Sequence, residues 1–173
     1  SARGRSEDRL LQPTPNTEDL RDDVVTLAEV LRGCGYATAH FGKWHLGPDP
    51  TTQGFERNVA GNRAGSPPGG HFSPYRNPQL ADGPEGEYLT DRLTDEAILF
   101  LRQRPAQQPF YLQLCHYAVH TPIQSKPELR AKYRDRPGPE PRNASYAAMV
   151  ESVDQGVGRL LAELDELHLR DDT

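Results

Sequence analysis

The chain has 173 residues, of which 35% are hydrophobic, with a mean hydropathy of −0.78 and a formal charge of −5 at pH 7. That is long enough for one domain with a core, and too rich in Leu, Val and aromatic residues to be disordered throughout. The acidic balance gives no reason to expect nucleic acid as a partner, which needs a basic face. No stretch reads as a signal peptide or a membrane span.

With 15 glycines and 16 prolines the sequence is loop-heavy. Residues 1–23 are polar, carry Pro13 and Pro15, and predict an irregular lead-in. The start at Ser1, with no Met, suggests a natural protein that begins upstream. Asp22 or Asp23 is placed to cap a helix from Val24 to Arg32, with Val25, Leu27, Ala28, Val30 and Leu31 as its apolar stripe. Gly33 and Gly35 end that helix, and residues 36–41 predict a strand leading into Gly42. A helix, a glycine stop and a strand in succession indicate an α/β layered domain.

From Gly47 to Glu87 the chain is rich in Gly, Pro, Asn and Ser and predicts a long loop. Loops of that length inside a compact domain are often functional. Its Arg63, Ser66, His71 and Tyr75 are expected to border a pocket. Tyr88 to Arg104 predicts a helix with Leu89, Leu93, Ala97, Phe100 and Leu101 on one face, closed by Pro105. Phe110 to Cys115 is apolar and aromatic and predicts a strand, with a loop from His116 to Ile123 behind it. A short helix over 127–133 and a connector rich in Pro and Arg through Arg142 come next.

Tyr146, Met149, Val150, Val153, Val157, Leu160, Leu161, Leu164 and Leu167 recur at three- and four-residue spacing and predict a long amphipathic helix. Gly156 and Gly158 argue against a coiled coil, so packing on a sheet is expected. The sequence stops where a βαβ pattern would place another strand. Cys34 and Cys115 stand in apolar surroundings and read as buried free thiols, with a disulfide left open. Asn143-Ala144-Ser145 reads equally as a glycosylation acceptor and as a helix cap.

Two clusters carry chemistry. Gly42-Lys43-Trp44-His45-Leu46-Gly47 lies just past the first strand, and in extended backbone Lys43 and His45 project to one side. A cation beside an imidazole suits an anionic group such as sulfate or phosphate. His116-Tyr117-Ala118-Val119-His120-Thr121-Pro122 lies past the second strand. Pro122 and the preceding strand speak against a helical His-pair metal site. His120 is therefore expected to point into the same strand-end crevice as Lys43 and His45, with His116 structural. Ligands sit at the carboxyl ends of strands in open α/β sheets.

The Leu27–Leu31 and Gly35–Thr38 segments, followed by Phe41-Gly42-Lys43-Trp44-His45-Leu46-Gly47, resemble the second signature of the sulfatase family. Gln53-Gly54-Phe55, Tyr88-Leu89-Thr90-Asp91, Pro109-Phe110-Tyr111-Leu112, Val119-His120-Thr121-Pro122 and Val153-Asp154 agree in order and spacing, so the resemblance spans about residues 24–173. It implies a partial alkaline-phosphatase-like sandwich, with a mixed, mostly parallel sheet flanked by helices and lacking strands at both ends. It further implies hydrolysis of sulfate esters through a formylglycine nucleophile and a divalent cation, usually calcium. Lys43 would contact the nucleophile's hydroxyl and the sulfate, His45 would act as base, and His120 would protonate the leaving alcohol.

Formylglycine arises in a Cys/Ser-x-Pro-Ser-Arg motif, and neither Cys34 nor Cys115 stands in one. The family's metal ligands are expected before residue 1 and beyond Thr173. The segment alone is therefore expected to be catalytically inactive and marginally folded. The alternatives are a phosphonate or phosphate ester hydrolase of the same superfamily, or a truncated, non-catalytic anion-binding protein. By resemblance the substrate is a small-molecule or carbohydrate sulfate ester, and the location periplasmic, extracellular or lysosomal.

Overall fold

A computed structural model describes residues 17–136 and 143–173. Helix α1 (Leu27–Gly33) is followed by strand β1 (Ala37–Gly42), strand β2 (Arg57–Val59), helix α2 (Leu89–Gln103), strand β3 (Phe110–Cys115), helix α3 (Pro127–Arg134) and helix α4 (Ala144–Glu166). The three strands form one sheet in the order β2-β1-β3, with both pairings parallel.

Helix α1 starts later than the sequence predicts because Thr26 offers a complete capping box. Its Oγ1 accepts from Glu29 N at 3.2 Å, while Glu29 Oε2 accepts from Thr26 N at 2.7 Å. Neither Asp22 nor Asp23 is the cap, and of the predicted apolar stripe Val25, Leu27 and Val30 are exposed while Ala28 is buried. The helix ends in a Schellman motif: Gly35 has φ +88°, Gly35 N bonds Arg32 O, and Tyr36 N bonds Leu31 O.

Strand β1 is the centre of the sheet, and all six of its residues are buried. Ala39 and Phe41 face α2, where they join Leu93, Ala97, Phe100 and Leu101 in the core. Thr38 and His40 occupy the opposite face. There Thr38 Oγ1 donates to Gly54 O at 2.7 Å, and the His40 ring stands edge-on to Trp44 and Phe55 at 5.3 and 5.4 Å. The 47–87 segment is less structureless than its composition suggests: it holds a 3-10 turn (Pro50–Gln53) and β2, which pairs with β1 in the register Ala39–Arg57 to Phe41–Val59.

Helix α4 packs on α2 and α3 rather than directly on the sheet. Gly156 permits the close approach, since a Cβ there would stand 2.6 Å from Thr94 Oγ1 of α2. Arg102 of α2 grips the Glu163 carboxylate with two bonds of 2.7 and 2.6 Å and holds its pKa below the usual range. Only part of the predicted stripe is covered: Met149 and Leu164 are buried, whereas Tyr146, Val150, Val157 and Leu161 are 43–47% exposed. The apolar band is wider than the surface its two partner helices present. Asn143 caps this helix through Oδ1, which accepts from Tyr146 N at 3.0 Å. Both thiols are free, but Cys34 is exposed and Cys115 half-buried, because Cys34 lies at the open end of α1 and β3 is an edge strand. Part of the Pro- and Arg-rich connector, residues 137–142, lies outside the described residues.

Candidate functional site

The site is built where β1 and β3 end together. Gly42 pairs with Cys115 in register, and Lys43 N donates to Cys115 O at 2.7 Å. This approach requires glycine twice over: φ at Gly42 is +96°, and a Cβ would lie 2.0 Å from Cys115 O. The Lys43–Gly47 run and the loop beginning at His116 therefore leave the sheet from adjacent points at the carboxyl ends of parallel strands.

Beyond Gly42 the chain is no longer a strand, and His45 has φ 61°. The alternation that would place Lys43 and His45 on one side thus does not apply to them. A left-handed conformation at a non-glycine residue persists where its surroundings enforce it. Here His45 N donates to Asn62 O at 3.0 Å, and a Cβ at Gly65 would stand 2.6 Å from His45 Cε1. Asn62 is itself fixed: its Nδ2 donates to Ala60 O and to Asn77 Oδ1, and its Oδ1 accepts from Ala64 N at 2.7 Å. Tyr117, from the other strand's loop, donates its hydroxyl to the same Ala60 O at 2.9 Å. One buried network therefore ties the backbone under His45 to the loop that carries His120. Lys43 is half-buried and His45 exposed.

His120 is exposed, and its Nδ1 lies 2.9 Å from Thr121 O, to which it donates. Its backbone N donates to Tyr117 O, and its carbonyl accepts from His71 Nε2 at 3.0 Å. His71 and Tyr75, read as pocket-bordering, are 0% and 1% exposed. They hold loops instead: Tyr75 OH donates to Glu87 Oε2 at 2.8 Å, and burial pushes that phenol's pKa upward. Arg63 pairs with Asp19 across a cavity of about 330 Å³ beside Trp44, Leu46 and Gly47, and Ser66 is half-buried.

His40, His71 and His116 are shifted towards the neutral form by burial, the first and last to about 4. His116 has no partner on either ring nitrogen, in keeping with a structural rather than a chemical residue. The exposed histidines on the two segments that leave the strand ends are His45 and His120, and Lys43, on the first of these segments, is half-buried. Such a set can neutralise an anion and move protons. Among the described residues no three His, Cys, Asp or Glu side chains converge to hold a metal ion, so these residues do not make the cation site that the resemblance implies. No described helix is long and apolar enough to cross a membrane.

Sequence reasoning singled out Lys43, His45 and His120 as candidates and read His71 as bordering a pocket, but gave Asn62, Gly65 and Tyr117 no part. The contacts that hold Asn62, His71 and Tyr117 cross 15 to 57 positions of chain, which no local motif signals.

Comparison with known proteins gives the same family. A sulfatase of Formosa agariphila is 29% identical over 90% of this chain and 37% of its own length. Human N-acetylgalactosamine-6-sulfatase is 29% identical over 88% of this chain and 31% of its own. The crystal structure of Ps i-CgsB in complex with k-i-k-neocarrahexaose superposes with a TM-score of 0.67 at 26% identity, over 90% of this chain and 39% of that one. The chain thus spans about a third of the length of these curated relatives, and its fold is the alkaline-phosphatase-like α/β arrangement of solved sulfatases. The family pattern described as Sulfatase matches residues 1–173, and the chain belongs to the sulfatase family.

Proposed function

We propose that these residues form the strand-end half of an active site that hydrolyses sulfate esters to sulfate and an alcohol. The observation that supports it most is the joint ending of β1 and β3 at the Lys43 N to Cys115 O bond of 2.7 Å, which sets the Lys43–His45 run beside the His120 loop. Lys43 binds and partly neutralises the sulfate group. His45 accepts a proton, and His120 delivers one to the departing alcohol oxygen, each step contributing on the order of 10²–10⁴ in rate.

The sequence holds no formylglycine motif, and among the described residues no three His, Cys, Asp or Glu side chains converge on a cation. In this reading the motif and the cation ligands belong to the remainder of a polypeptide of the relatives' length, and residues 1–173 alone are inactive. The 47–87 segment borders the pocket, and the substrate is a carbohydrate sulfate ester, the class that the name of the human relative describes. The setting is periplasmic, extracellular or lysosomal.

The test is an assay of the protein as its gene encodes it, using 4-nitrophenyl sulfate, N-acetylgalactosamine 6-sulfate and 4-nitrophenyl phosphate. Sulfate release that drops in Lys43→Ala, His45→Ala and His120→Ala supports the reading. Preference for the phosphate ester moves the protein to the phosphate-cleaving branch, and turnover unaffected by all three substitutions overturns the site.

A further inference from the structure

We propose that His71 is a positioning residue for His120, holding the backbone from which the His120 ring projects; this rests on the reading of His120 as proton donor. The Tyr117 hydroxyl ties the start of the loop after β3 to Ala60 O, and His71 fastens the loop's later part to the 47–87 segment at two further positions. Its ring Nε2 donates to His120 O at 3.0 Å, and its backbone N donates to Gln124 Oε1 at 2.8 Å. Tyr88, whose ring lies 6.2 Å from that of His71, donates its hydroxyl to Gln124 O at 2.9 Å. His71 O in turn accepts from Leu89 N at 2.9 Å, which anchors the clamp to the first turn of α2.

The chemistry of the ring points the same way. A carbonyl only accepts, so the His120 contact requires the tautomer with hydrogen on Nε2 and leaves Nδ1 as a bare acceptor. That Nδ1 is buried and has no partner, in a residue that is 0% exposed. An unpaired buried nitrogen works against stability, and an apolar ring of similar shape would avoid the cost. What an apolar ring cannot do is donate to His120 O. Because the His120 imidazole itself leans on Thr121 O through Nδ1 at 2.9 Å, fixing the backbone at 120–121 fixes where Nε2 points.

The experiment measures kcat/KM for a series of aryl sulfates from 4-nitrophenyl to phenyl sulfate in the protein as its gene encodes it. The better leaving group needs little protonation and the poorer one much, so a misplaced acid steepens the dependence on the leaving group. A defect in folding lowers all esters alike. His71→Phe keeps the ring volume and removes the donor. It is expected to lower the phenyl sulfate value about tenfold or more beyond the 4-nitrophenyl value, a fraction of the whole acid contribution. His71→Gln, which carries an amide donor in place of Nε2, is expected to restore most of the difference.

Equal loss on both esters, or no advantage of Gln over Phe, overturns the inference. His120→Ala separates it from the reading on which it rests. If His120→Ala leaves the leaving-group dependence unchanged, the proton-donor role fails and takes the inference with it. If His120→Ala steepens the dependence and His71→Phe does not, the positioning role alone fails. Should His71→Phe not fold, Gln124→Met, which removes the acceptor of His71 N, is read in the same assay: a steeper dependence supports the clamp and an unchanged one overturns it.

Discussion

A Cβ on Gly65 would stand 2.6 Å from Cε1 and 2.9 Å from Nε2 of His45, so the exposed imidazole lies against bare backbone. The residue is held at both ends, by Asn62 O at its backbone N and by Gly65 at its ring.

Gly65→Ala forces the His45 ring to move, since contacts under 3.0 Å do not survive in folded proteins. Displacements of about 1 Å at a reacting group cost on the order of 10²-fold in rate. The expected outcome is a drop in kcat of at least about tenfold, with unfolding free energy changed by less than about 1 kcal/mol because position 65 is not in the core. Turnover and urea midpoint measured on one preparation check this. Full activity would mean that the present ring position has no part in the chemistry.

His45 itself separates function from stability. At φ 61° a non-glycine residue is strained by about 1–3 kcal/mol, and Asn tolerates this region well. His45→Asn is expected to leave thermal stability unchanged or slightly raised while sulfate release falls about 10²-fold or more. Loss of both together would show that the imidazole holds the fold.

Most of the framework was legible in the sequence. β3 runs over the predicted residues, α2 and α3 end within about one residue of expectation, and the Gly42–Gly47 run sits at a strand end as predicted. These elements have strong local signals: apolar periodicity, Pro or Gly stops, and aromatic β-formers. The start of α1 was misplaced because acidic residues at 22 and 23 look like caps while Thr26 holds a better one, with Glu29 three residues on. Apolar periodicity in α1 and α4 could not reveal which members find a partner, since that depends on neighbouring helices. His71 and Tyr75 looked like pocket residues because they are polar and lie in a loop. Their burial follows from contacts with residues 120, 124 and 87, which only the folded chain brings near.

Two glycines of α4, two positions apart, respond oppositely to the same substitution. A Cβ at Gly156 would meet Thr94 Oγ1 at 2.6 Å, whereas one at Gly158 meets nothing within 4 Å. Gly158→Ala is expected to stabilise by roughly 0.5–1 kcal/mol, the helix-propensity gain. Gly156→Ala is expected to destabilise by about 1–3 kcal/mol, as α4 is pushed from α2. Urea denaturation of both variants checks the pair, and stabilisation by Gly156→Ala would contradict the close α2–α4 packing.

Burial lowers the pKa of His40 and of His116 from 6.5 to about 4, against small opposing contributions from the backbone beside His40 and from Asp91 near His116. Between pH 6.5 and about 4 the unfolded chain therefore binds more protons than the folded one, and stability rises with pH across that window. The stabilisation is complete above pH 6.5 and is lost as the pH falls towards 4, by up to about 3 kcal/mol for the fully buried His40 and by less for the partly covered His116. His71, lowered by the same cause, adds in the same direction. Urea midpoints at pH 7, 5.5 and 4.5 are expected to fall in that order. Since neither ring nitrogen of His116 has a partner, His116→Leu gives up no hydrogen bond and is expected to flatten the slope. A slope unchanged by His116→Leu would show that its ring is hydrated in the folded protein, and that the acid sensitivity comes from His40 and His71 alone.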